Sequence, residues 1–291
     1  MKNVTLTIQL PQRLPWLARL AWAFRKKRSR RRLPESWQEA SPAQRGKLLA
    51  LHLRRAALSA EAFQVLLLKH LLRLPNWMLL ALHPIDLAEK LLPLARWAAE
   101  ARIEKPFEPS VRLAGKAWRI PAPMAKDMPL GQYLACEQRF AEIFASPAPS
   151  AAPFLAALLR PEGEALRAHL YATGLLPPAS EYEMEAHSEL LASAPQPMVF
   201  YLVQYYATQR LLLREKYPNL HRSKEGEGPA GLPDWDSIAP RIAEAGAFGS
   251  LEQVLRTPTV SYLAWANAKA EPEKQPSLQD MIRQNHSKFM N

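Results

Sequence analysis

Proline outnumbers glycine by 27 to 10 in this 291-residue chain, and that ratio narrows its folding options sharply. Proline fixes φ and donates no backbone hydrogen bond, so it starts, kinks or ends helices and rarely sits inside them. A chain this poor in glycine is badly suited to the Gly-rich phosphate loops of nucleotide-binding α/β enzymes. It should instead fold as short helices punctuated by proline. Apolar residues make up 48 per cent and charged residues 22 per cent, enough for one large core or two modest ones. A single cysteine, Cys136, excludes an intramolecular disulfide framework and a Cys-based zinc site.

Residues 3–10, NVTLTIQL, alternate apolar and polar side chains as a half-buried strand does. The expected partner is 111–120, VRLAGKAWRI, where Ala114-Gly115-Lys116 can turn a hairpin. Other sheet signals are absent, so any sheet is small. Helices are expected after Ser41-Pro42-Ala43-Gln44, a capping box with proline at the first helical position, and from Ser59. Residues 86–100 contain Pro93, which should kink a helix or mark its start. Further helices are expected at 130–145, 152–160, 198–216, 235–245, 251–256 and 258–269. Gly246 should close one, Ser250 with Gln253 should open the next, and Thr257-Pro258 should start the last. In the C-terminal group, Trp235, Ile238 and Ile242 should pack on the helix carrying Val260 and Leu263.

The most unusual segment is Arg25-Lys26-Lys27-Arg28-Ser29-Arg30-Arg31-Arg32, in which seven of eight residues are basic and which carries most of the formal charge of +11. A solvated arm packed on its own domain through Leu14, Trp16, Leu17, Leu20 and Trp22 is one reading. Nucleic acid or another polyanion, bound through Arg25, Lys26, Lys27, Arg28, Arg30, Arg31 and Arg32, is the second. An anionic membrane surface is the third.

Phe200, Tyr201, Tyr205 and Tyr206 make one helix apolar over much of its circumference. Such a helix is either central to the core or offers a face to a partner, with Tyr201, Tyr205 and Tyr206 as the candidate contacts. Glu181, Glu183, Glu185, His187 and Glu189 lack the spacing of a metal site and read as a solvated acidic face. Cys136 reads as a small core residue. The seven histidines are scattered, and no nucleophile elbow, phosphate loop or dinucleotide fingerprint occurs, so neither catalysis nor a cofactor is expected. The apolar stretch 63–94 is broken by polar and charged residues, so no membrane span is expected, and the run 14–24 lacks the leading charge of a secretory signal.

Several stretches resemble a group of uncharacterised proteins of phage and prophage tail gene clusters in Bacteroidetes. They are LPESWQEASPAQ at 33–44, LAGKAWRIPAPMAKDMPLGQYLACEQRFAEI at 113–143, FLAALLRPEG at 154–163, YYATQRLLLREKYPNL at 205–220, and WDSIAPRIAEAGAFGSLEQVLRTPTVSYLAWA at 235–266. Residues 11–32 look inserted relative to that group. The resemblance implies a tail assembly chaperone or minor tail component, partnered with a tape-measure or tail tube protein, in the bacterial cytoplasm or the virion.

The expected fold is mainly α, helix-dominated α+β with one small antiparallel sheet. It divides into an N-terminal strand and apolar/basic arm (1–32), a main helical domain with the 111–120 hairpin (33–220), a linker (221–233), a C-terminal helical subdomain (234–269) and a tail (270–291). The expected function is non-enzymatic, an apolar groove that shields partner helices during assembly. Polyanion association through 25–32 is the alternative.

Overall fold

A computed structural model describes residues 2–5, 30–73, 89, 91–145, 150–221 and 235–269. Along the chain run β1 (Lys2–Thr5), β2 (Arg30–Leu33), α1 (Pro42–Leu53), α2 (Ala60–Leu72), α3 (Arg96–Glu100), β3 (Ser110–Leu113), β4 (Lys116–Arg119), α4 (Leu130–Ala145) and α5 (Ala152–Leu158). There follow β5 (Arg160–Pro161), α6 (Glu164–Thr173), α7 (Glu181–Leu191), α8 (Gln196–Lys216), α9 (Trp235–Glu244), α10 (Leu251–Arg256) and α11 (Thr259–Lys269). The fold is helix-dominated α+β. None of the described helices is long and apolar enough to cross a membrane. The linker at 222–233, the tail at 270–291 and residues 25–29 of the basic run lie outside the described residues.

Proline marks the helix starts. Pro42, Pro153 and Pro197 occupy the first turns of α1, α5 and α8, where a backbone N–H has no intrahelical acceptor to lose. Pro93 opens a 3-10 turn that leads into α3. Ser41 and Gln44 cap α1 reciprocally, and Ser250 and Gln253 do the same for α10. The last helix starts one residue later than Thr257-Pro258 suggests. Thr257 caps the end of α10, its hydroxyl donating to the carbonyl of Gln253 at 3.0 Å. Helices α6 and α7 are additions to the sequence reading.

The expected strand pairing is wrong. β1 pairs antiparallel with β2, Val4 opposite Arg31, and not with the 111–120 hairpin. A two-stranded ladder joins backbone groups and asks no burial of its side chains, so a basic segment is admissible in it. The hairpin itself forms as expected. Ala114 and Gly115 both take positive φ (48° and 75°), the two-residue turn whose twist matches the strands. Its β4 edge is covered by β5, with Trp118 opposite Pro161. Proline fits there because β5 is an outer strand, where one N–H can be spared.

The main core gathers Leu33 and Trp37 of the LPESW entry, the inner faces of α1 and α2, the hairpin's Trp118, residues 154–158 of α5, and α8. Trp37 meets Trp97 edge-on at 5.6 Å and stacks on Phe107, which in turn stacks on Tyr201 at 4.2 Å. The C-terminal helices dock on this body. Thr259 and Leu130 bond across the chain (Leu130 N to Thr257 O, 2.8 Å; Thr259 N to Met128 O, 3.0 Å), a bridge at Pro129 and Pro258. Ile242 packs with Leu130, Leu134, Ala239 and Val254, whereas Leu263 packs with Leu213 and Tyr217. Of the expected face, Ile242 thus packs on α4 and α10 and not on Leu263, while Tyr262 of α11 reaches the same cluster. The side chains of Trp235 and Ile238 lie outside the description.

Candidate functional site

The three tyrosines offered as a partner face are core residues. Tyr201 and Tyr205 are each 1 % exposed and Tyr206 is 4 %. Each hydroxyl is spent inside the protein. That of Tyr201 accepts from the Phe107 amide at 2.8 Å, that of Tyr205 donates to the Pro121 carbonyl at 2.8 Å, and that of Tyr206 donates to Glu137 at 2.8 Å. Helix α8 thus acts as a central post to which the 103–124 segment is pinned. Thr208 and Gln209 add bonds to Ile103, Glu104 and Met124.

Other buried polar groups are similarly engaged. Glu137, 3 % exposed, takes Tyr206 on one side and Arg210 at 2.7 Å on the other, while the Arg210 guanidinium lies over the ring of Phe140. Burial, reinforced by Glu137, holds the Tyr206 phenol well above its usual range. Arg160 donates to the carbonyls of Ala156, Ala157, Leu159 and Pro177, closing the C-terminal end of α5 where the helix dipole favours a cation. Cys136 is fully buried, and burial pushes its thiol far above the range of a reactive cysteine. Next to Tyr205 and Tyr206 the packing leaves a void of about 10 Å³, the space of one water.

The acidic segment is helix α7. Ser180 caps it and Glu183 returns the bond to the Ser180 amide at 2.8 Å. Glu181, Glu185 and Glu189 are exposed along it, and His187 turns inward, edge-on to Trp118 at 5.0 Å. Among the described residues no three His, Cys, Asp or Glu side chains converge as a metal site.

Among the described residues, open grooves lie between helices in at least two places. One, about 270 Å³, lies between α4, α9 and α10. Leu134, Ala135 and Ala239 line it, Leu255 and Pro240 wall it, and Leu251 stands at its edge, 43 % exposed. Gly131 sets its width, because a Cβ there would lie 3.3 Å from Leu255 Cδ2, so α10 rests almost on the α4 backbone. Pro240, inside α9, leaves the local helix ladder without one N–H. Another groove, about 400 Å³, lies between α4, α5 and α7 and is lined by Arg139, Pro153, Met184 and the three exposed glutamates. Of the basic run, Arg30, Arg31 and Arg32 form the backbone of β2, and Arg25, Lys26, Lys27 and Arg28 lie outside the described residues.

Compared with protein-family models, with curated proteins and with solved structures, the chain has no match.

Proposed function

We propose that this protein is a non-enzymatic assembly or structural component of a phage-like tail, acting in the bacterial cytoplasm or in the virion. It would hold an amphipathic helix of another tail protein, such as the tape-measure or tube protein, in the groove between α4, α9 and α10. The observation that carries the reading is the open apolar lining of that groove, with Leu251 exposed at its rim. An apolar slot between helices accepts side chains spaced i and i+4 on a partner helix, and withholds them from aggregation until assembly. Support for the tail setting comes from the sequence resemblance. Two of the stretches that carry it, 113–143 and 235–266, contain most of α4 together with all of α9 and α10, which wall the groove.

The test is co-purification with the neighbouring tail proteins of wild type and of an Ala135→Arg/Leu251→Glu variant. Neither position is fully buried, so the variant should fold. Loss of the partner with an unchanged melting temperature supports the reading, and retention of the partner removes it. A second reading, polyanion binding, rests on the seven cations of residues 25–32. It requires DNA affinity that falls with salt along a log–log slope of about −4 to −6, one counterion per contacted phosphate. Absence of DNA binding at low salt removes that reading.

A further inference from the structure

We propose that α7 and its groove form a docking site for the basic run 25–32 of a second copy of this chain, independently of the groove between α4, α9 and α10. Glu181, Glu185 and Glu189 stand at i, i+4 and i+8 on one side of α7, all exposed, and none has an ion-pair partner among the described residues. The groove's one cation, Arg139, is engaged by Glu142 at 3.0 Å. The site is therefore net acidic, facing a chain whose overall charge is +11.

Spacing favours an extended basic occupant. Carboxylates four residues apart on a helix repeat about every 6 Å along its axis. Alternate residues of an extended chain repeat about every 6.6 Å. Arg28, Arg30 and Arg32 have this alternate spacing, and the backbone from Arg30 onward is extended in β2. Beside the glutamates, Tyr182 is 81 % exposed and three residues from Glu185, on the same stripe of the helix. An exposed phenol ring next to carboxylates suits a guanidinium, which stacks on the ring while it pairs with the acid. Met184 and Pro153 provide an apolar floor for arginine stems. In the described chain β2 is anchored at Leu33 in the main core beside α2. Because arm and groove are different segments of the chain, reciprocal exchange closes a dimer, and one-way pairing extends to a larger ring or an open chain.

The experiment is sedimentation velocity on the full chain at about 50 mM and about 500 mM salt, conditions that leave and abolish screening-sensitive contacts. Wild type should self-associate at low salt and be monomeric at high salt. Glu185→Gln/Glu189→Gln, and separately Arg28→Ser/Arg30→Ser/Arg32→Ser, should each weaken association at least tenfold, with unchanged helical circular dichroism. Mixing the two variants should restore a 1:1 complex, because one contributes an intact arm and the other an intact groove. A wild type that stays monomeric at low salt overturns the proposal. So do association insensitive to the glutamine substitutions, and salt-dependent compaction without a change in mass, which would place the arm in its own chain's groove.

Discussion

Glu137 is a buried carboxylate that ties two elements together. It is enclosed by Tyr206 and Arg210, and through Tyr206 it joins α4 to the central α8. Removing one partner of a buried ion pair strands the other, so Glu137→Ala should cost about 3–5 kcal/mol, measured by chemical denaturation. Tyr206→Phe should cost less, about 1.5–3 kcal/mol, since Arg210 still pairs with the carboxylate. His52 carries a pH dependence. Its Nε2 lies 2.7 Å from the Ala98 carbonyl, which only accepts, so Nε2 carries a proton. Burial lowers its affinity for a second proton. The unfolded chain therefore takes up a proton near the ordinary histidine value of about 6.5 while the folded chain does not. Stability should hold above that pH and fall as the solution is acidified. His52→Gln should make that acid slope shallower, by at most one proton. His70 and His187, also shifted down by burial, act in the same direction.

At the level of elements, short helices are held by their ends. Arg160 closes α5 against four carbonyls, and Arg160→Met should destabilise by about 3 kcal/mol, because the Leu159 and Pro177 carbonyls would lose this donor, while Ala157 keeps the Gln132 amide. Gly131 governs the seat of α10 on α4. Gly131→Leu should cost about 1–3 kcal/mol by overpacking and should narrow the adjacent groove. Local signals of this kind were readable in the sequence. Ser41 with Gln44, Ser250 with Gln253, Ser59, and the Ala114-Gly115 turn all act as their spacing implies. Ser180 with Glu183 has the same spacing, but a run of acids hides the capping signal in the sequence. Strand pairing was not readable. Alternation in residues 3–10 indicates a strand but carries no information about which edge it joins, and β1 joins β2.

On the scale of the whole molecule, the tyrosines of α8 show the limit of periodicity. A stripe at Tyr201 and Tyr205 suits a core or a partner equally well. The decision is made by residues 103–124, about a hundred positions away, which cover it. An apolar groove between helices was expected in kind, yet its walls come from 131–138 and 239–255, so no local pattern could locate it. Among the described residues the surface carries this apolar groove and an acidic one at α7. The most direct test of the assembly role is site-specific photo-crosslinking in cells that express the tail proteins. A photoreactive side chain would replace Leu251 at the groove rim, and Tyr171, 96 % exposed on α6, would serve as the control position. The assembly reading requires crosslinks from position 251 to an amphipathic helix of one tail protein, and none to that helix from position 171. Equal crosslinking from both positions, or none from 251, would contradict it.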